Sequence, residues 1–213
     1  MGVHAQPPRS APPAGEPVTP DFPLRFPVVA LVTSAGGLDA LTRVLAPLPA
    51  DFPAAVLVAQ HLDPARTSHL TAILAARTAL RVGEAADGDV LVAGAALVVP
   101  AGRHLLVTSD ARIGLLDTGD LPPARPSADL LLATLAVTCG PRALAVVLTG
   151  KGTDAQTGIR AIAHCGGTVF AQDEGTSAHF GMPGAAIGTG LVHAVLPLSG
   201  IAAAILEHVA RHA

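Results

Sequence analysis

Three polar side chains each follow an apolar run that reads as a strand. VVALVT (28–33) stops at Ser34, AAVLVAQ (54–60) stops at His61, and ALAVVLTG (143–150) leads through KGT to Asp154. Serine, histidine and aspartate are the nucleophile, general base and orienting carboxylate that a serine hydrolase needs. In open α/β sheets, ligands bind beyond the carboxyl ends of the strands, so parallel neighbouring strands would bring the three together. Each residue also has a plainer reading. Ser34 in VTSAGGLDAL stands where a helix N-cap would, Asp154 precedes a helix, and His61 could simply be polar at a sheet edge. On the residues alone both readings stand, and the coincidence of three types at one edge strengthens the chemical reading without deciding for it.

Rival chemistries lack their residues. VTSAGG does not carry the three spaced glycines of a dinucleotide fingerprint. TGKGTD resembles a phosphate loop, but Ala145 and Gly152 stand where that motif needs glycine and a hydroxyl. The nine histidines are read as scattered, and neither a metal nor a cofactor is expected.

These turns need a frame. The runs 28–33, 54–60, 143–150 and 167–172 are continuously apolar, as parallel strands covered on both faces are. Amphipathic spacing predicts helices near 37–46, 66–76, 127–138, 155–164 and 199–211, the third opening at Ser127 with Asp129 in its first turn. Residues 81–116 hold short β-prone runs between Gly, Pro and Ser-Asp turns and read as an antiparallel insertion. The expected fold is a doubly wound, mostly parallel sheet with helices on both faces and a short antiparallel β insertion. Residues 1–26 read as a disordered Pro/Ala-rich tail, and 27–213 as the domain.

Composition narrows the partners. The chain has 213 residues, half of them hydrophobic, with a net charge of −3 and neither Trp nor Tyr, so neither a basic nucleic-acid surface nor a base-stacking platform is expected. No apolar run reaches the roughly 18 residues of a membrane span, so no membrane insertion is expected. The proline-crowded N-terminus does not read as a signal peptide. Cys139 and Cys165 read as free thiols in a reducing cytoplasm.

TSAGGLDAL, AQHLDP (59–64) and LTGKGTD (148–154), together with 85–107, RPSADLLLATLA (125–136) and AQDEGTSAHFGMPGAAI (171–187), resemble in order and spacing the catalytic domain of bacterial chemotaxis protein-glutamate methylesterase. The resemblance runs from about residue 28 to 206. It implies hydrolysis of glutamate γ-methyl esters on the cytoplasmic helical region of a methyl-accepting chemoreceptor, with a related glutamine deamidation. It assigns Ser34, His61 and Asp154 to the triad. Ala35 and Gly36 after the serine, and Gly150 and Lys151 in the carboxylate loop, become the expected oxyanion or substrate contacts. Arg125 and Ser127 either line the groove or are a loop arginine and a helix cap. His104 is expected beside the site without a catalytic role, and Met182 and Pro183 are expected to shape its wall. Three positions depart from the family pattern: Val32 and Ala155 stand where glycine is usual, and Lys151 where methionine is. The departures keep two alternatives open, a weakened binding module and an esterase acting outside chemotaxis. The 26 residues of the tail are too few for a receiver domain, so regulation is expected from a separate protein.

Overall fold

The computed structural model describes residues 22–62, 68–119 and 125–213. Seven parallel strands form one sheet: β1 (Val28–Thr33), β2 (Ala55–Gln60), β3 (Arg81–Glu84), β4 (Ala95–Val98), and then β7 (Ala143–Val147), β8 (Thr168–Gln172) and β9 (Ala194–Leu196). Their spatial order is β3-β4-β2-β1-β7-β8-β9. The chain therefore winds outward from β1 in one direction and then resumes beside β1 in the other, which makes the β1–β7 boundary the topological switch point. β5 (His104–Val107) and β6 (Ile113–Leu116) form a separate antiparallel hairpin.

Strand alternation sorts the core into two layers. Val28, Ala30 and Val32 of β1 face a cluster shared with α3 (Ala128–Cys139), α4 (Gln156–His164), α5 (Gly181–Ile187) and the hairpin. Val29 and Leu31 face the opposite cluster, built with α1 (Gly37–Leu45), α2 (Leu70–Ala75) and α6 (Leu198–His212). Both faces of the central strands are thus buried, which is why those strands read as unbroken apolar runs.

The antiparallel part is shorter than the sequence suggests. Residues 81–84 and 95–98 join the main sheet in parallel, and antiparallel pairing is confined to the 104–116 hairpin and an isolated bridge from Val90 to Arg112. The reason is the connection. Residues 85–94 carry β3 over to β4 without a helix, so the usual signature of a parallel crossover is missing. The run 143–150 ends as a strand at Val147, and α2 begins at Leu70, while residues 66 and 67 of the expected helix lie outside the described residues. Residues 1–21 of the expected tail also lie outside them. Within its last few positions, Leu24 is buried in the α3-side cluster and the Phe22 ring packs over Gly140.

The hairpin is tied to α3 by side chains. Thr134 Oγ1 accepts from Val107 N–H at 3.0 Å, and Thr138 Oγ1 donates to the Val107 carbonyl at 3.3 Å. This anchoring fixes the Val107 end of β5, the strand that begins at His104, against the C-terminal half of α3.

At the far end of the sheet, α6 buries His208 at 2% exposure. His208 and His212 have the i,i+4 spacing of a ligand pair, which the reading of scattered histidines passes over. Their rings stack at 4.2 Å instead of converging on a point, and His208 also meets the Phe170 ring edge-on. Burial, and then the positive charge of His212, Arg211 and His193, push the His208 imidazole down to about 4. Its folded value therefore lies below its unfolded value of about 6.5. As pH falls through 6.5 the unfolded chain takes up this proton first, so stability declines from there to about pH 4. His208→Phe should remove this component: urea unfolding followed between pH 7 and 4 should give a shallower loss of stability than in the unaltered protein.

Candidate active site

Ser34, His61 and Asp154 follow β1, β2 and β7, which are consecutive in the sheet and flank the switch point. Thr33 and Gln60 are register partners, so Ser34 and His61 are the next residues on adjacent parallel strands. His61 N–H donates to the Thr33 carbonyl at 3.0 Å, holding the histidine turn against the serine turn. Ser34 and His61 line one open cavity of about 640 Å³ with Ala35, Gly36, Gln60 and Arg77.

The histidine is linked to the aspartate. His61 Nε2 lies 2.9 Å from Asp154 Oδ2, with both side chains about 15% exposed. The same carboxylate receives three backbone N–H groups: Ala128 at 2.7 Å, Asp129 at 3.0 Å and Ala155 at 2.9 Å. Two of these are the first residues of α3, so Asp154 sits at a helix N-terminus, where unpaired N–H groups and the helix dipole favour an anion. Burial by itself would raise the pKa of this carboxyl. The bonds from His61, Ala128 and Asp129 and the charge of His61 outweigh it, and the net shift is downward. Asp154 therefore stands ionised, and the nitrogen facing it is the protonated one. That tautomer leaves His61 Nδ1 as the basic nitrogen.

The serine turn is set by a residue with no motif signal of its own. The Thr149 carbonyl accepts from Ser34 N–H at 3.1 Å and from Thr33 Oγ1 at 2.6 Å. Its hydroxyl donates to the Ala35 carbonyl and receives the His179 N–H, while Thr149 N–H donates to buried Gln172 Oε1 at 2.8 Å. Thr149 lies within LTGKGTD, but only strand order reveals that it bridges the two turns. Close packing follows from this bridge. A Cβ at Gly150 would fall 2.5 Å from Met182 Sδ and 2.9 Å from Ser34 Cβ, so the serine side chain has room only because residue 150 has none. Gly36 has φ +82 and supplies the left-handed step that turns the chain into α1.

The other expected contacts separate into groups. Ala35 and Gly36 N–H, just before α1, have no hydrogen-bond partner among the described residues, whereas Gly150 N–H is occupied by the His179 carbonyl at 2.9 Å. Lys151 is exposed in the carboxylate loop. The Arg125 side chain donates to the Gly119 carbonyl, and its own carbonyl receives Leu62 N–H, so Arg125 steadies the chain just after His61. Ser127 does not line the cavity. It is 1% exposed and caps α3, its Oγ accepting from Leu130 N–H at 3.3 Å. Met182 and Pro183 are buried behind the turn. Asp63 and Pro64 of AQHLDP lie outside the described residues. Among the described residues no cluster of three or more His, Cys, Asp or Glu side chains could hold a metal ion.

With this geometry in place, the sequence profile of the CheB methylesterase family matches residues 29–205. The chain belongs to the CheB methylesterase family. It is 47% identical over 183 residues to a protein-glutamate methylesterase/protein-glutamine glutaminase of Moorella thermoacetica, covering 84% of this chain and 43% of that protein. It is 40% identical over 208 residues to the protein-glutamate methylesterase FrzG of Myxococcus xanthus, covering 97% of this chain and 60% of that one. The chain thus spans roughly half the length of these relatives. The crystal structure of the Thermotoga maritima CheB methylesterase catalytic domain superposes with a TM-score of 0.81 at 33% identity, covering 86% of this chain and 99% of that one.

Two departures from the family pattern can be located. Val32 is an ordinary β1 residue, paired with Ala59 and Val147 and buried in the α3-side core, so its β-branched side chain fits the strand. Ala155 is different. It has φ +98, a left-handed conformation that costs a non-glycine residue about 1–3 kcal/mol. It is held there because its N–H binds Asp154 Oδ1 and its carbonyl receives Ile159 N–H. Ala155→Gly should therefore raise stability by about 0.5–1 kcal/mol, the relief of strain outweighing the greater freedom of glycine when unfolded. A urea midpoint that moves upward with an unchanged m-value checks this.

Proposed function

We propose that this chain is a serine hydrolase that removes methyl groups from glutamate γ-methyl esters in the helical cytoplasmic region of a methyl-accepting chemoreceptor. The observation that carries this reading is the alignment of Ser34, His61 and Asp154 across β1, β2 and β7, with the 2.9 Å His61–Asp154 bond, in a chain of the CheB methylesterase family. The names of its relatives support the substrate class, and extend it to glutamine deamidation.

The steps follow from the residue types. Ser34 Oγ attacks the ester carbonyl as His61 Nδ1 takes its proton, and Asp154 stabilises the resulting imidazolium through Nε2. The developing oxyanion is received by the N–H groups of Ala35 and Gly36, which line the cavity beside Ser34 and are unpaired among the described residues. Such donors are typically worth about 2.7–4 kcal/mol of barrier. His61 returns its proton to the departing methoxide, and methanol leaves. It then deprotonates a water that attacks the acyl-serine, and Ser34 is restored as the glutamate carboxylate is released. With glutamine the same cycle releases ammonia. Gly150 acts by leaving room, since its N–H is already bonded. Lys151, exposed beside it, presents a cation where an acidic receptor segment would pass. No helix among the described residues is long and apolar enough to cross a membrane, and we place the reaction in the cytoplasm, where the receptor helices are reached.

The test is methanol release from a methylated receptor. Ser34→Ala should lower kcat by on the order of 10⁴–10⁶-fold with its fold intact, and a fluorophosphonate should label the unaltered protein at Ser34. Equal methanol release by the two proteins would overturn the proposal.

A further inference from the structure

The mechanism above makes no use of His104, a fully buried polar side chain near the triad. It is 0% exposed, and both of its ring nitrogens are engaged. Nδ1 receives the Ser127 N–H at 3.0 Å, and Nε2 lies 3.0 Å from Thr118 Oγ1. A nitrogen that accepts a backbone N–H carries no proton, so the proton sits on Nε2 and is given to Thr118. Burial and then the Arg125 cation favour this neutral ring, and outweigh the opposing charge of Asp154.

The residue that His104 holds is the N-cap of α3. Ser127 is followed directly by Ala128 and Asp129, whose N–H groups grip Asp154 at 2.7 and 3.0 Å. The Ser127 side chain closes the same turn onto Leu130. His104 itself cannot drift, because Thr134 and Thr138 tie the end of its strand to α3. A continuous set of bonds therefore runs from His104 Nδ1 through the Ser127 peptide to the two N–H groups, then to Asp154, and from Asp154 to His61 Nε2.

We propose that His104 is a positioning residue for the esterase reaction. As a neutral Nδ1 acceptor it orients the first turn of α3, so that the turn holds Asp154 in line with His61. This rests on the methylesterase reading for its kinetic consequence, while the bonding pattern stands independently of it. The role depends on an acceptor at the Nδ1 position and not on a ring. Asparagine places its side-chain oxygen near Nδ1, whereas glutamine places its amide near Nε2. Misplacing a catalytic group by about 1 Å can cost on the order of 100-fold in rate.

The test compares His104→Asn with His104→Gln, each shown to be folded by a cooperative urea transition. His104→Gln should lower kcat for receptor methyl ester hydrolysis by about 10- to 100-fold with KM nearly unchanged, because the substrate is still bound but the triad is misaligned. His104→Asn should stay within about threefold of the unaltered protein. Equal losses in the two variants, or a folded His104→Gln with full kcat, would overturn the proposal. If neither variant folds, the ring ¹⁵N shifts of the unaltered protein decide. They should place the His104 proton on Nε2 at neutral pH, and a proton on Nδ1 would overturn the assignment. Absence of any methanol release by the unaltered protein would instead count against the methylesterase reading, with the ¹⁵N measurement still deciding for or against His104 as the Nδ1 acceptor.

Discussion

The carbonyl and hydroxyl of Thr149 carry the constraint on which the candidate active site is built. β1 and β7 end side by side in a buried region, and backbone groups there must find partners or cost about 1–3 kcal/mol each. Thr149 supplies those partners. Its carbonyl takes the N–H of Ser34 and the hydroxyl of Thr33, and its own hydroxyl takes up Ala35 and His179. Once the two strand ends are joined in this way, Ser34 must lie against residue 150, and only a glycine fits between Ser34 and Met182. The same joining commits Gly150 N–H to His179, while Ala35 and Gly36 N–H, beside the cavity, are unpaired among the described residues. The polarity of the site is thus a residue of how the backbone was satisfied behind it.

Asp154 poses the opposite problem, a carboxylate largely withdrawn from water. A lone buried carboxylate would take up a proton and could not orient an imidazolium. Here the opening turn of α3 replaces the lost water with the N–H groups of Ala128 and Asp129, and Ala155 adds a third at the cost of a left-handed backbone. The strain at Ala155 and the cap at Ser127 belong to one arrangement, since both bring N–H groups to the same carboxylate region. α3 needs its apolar faces for the sheet, the hairpin and α4, and its polar N-terminus for Asp154, so one helix links core packing to the geometry of the candidate site.

How much of this was legible follows from which interactions are local. β1, β2, β7 and β8 were readable because strands buried on both faces leave unbroken apolar runs, and α3, α4 and α6 because caps and amphipathic spacing are local signals. The places of β3 and β4 were not, because parallel pairing across residues 85–94 is a long-range event with no helix to announce it. The three-residue β9 is missed for the same reason, and α5 because its seven residues include Gly181, Pro183 and Gly184, which are poor helix formers. At the site, Ser34, His61 and Asp154 were visible as polar residues at strand ends. Ser127 left two readings open, and burial decides for the cap. Thr149, Gln172 and His104 act through partners more than ten residues away, and no spacing rule within one element could have singled them out.

The two glycine departures show why local and long-range strain must be told apart. A β-branched residue two positions before a nucleophile suggests a hindered turn if the turn is taken to bend there. In this fold β1 continues in regular register through Val32 to Thr33, and the left-handed step falls at Gly36, on the other side of the serine. Val32 thus adds buried apolar contact at the centre of the sheet without opposing the turn. Ala155 has no such freedom, because its φ is dictated by the need to deliver an N–H to Asp154 while α4 starts at the next residue. The cost of the departure at 155 falls on stability, while Asp154 keeps its bonds. A chain of this family can therefore lose one expected glycine harmlessly and another only with strain, according to where the backbone makes its left-handed step.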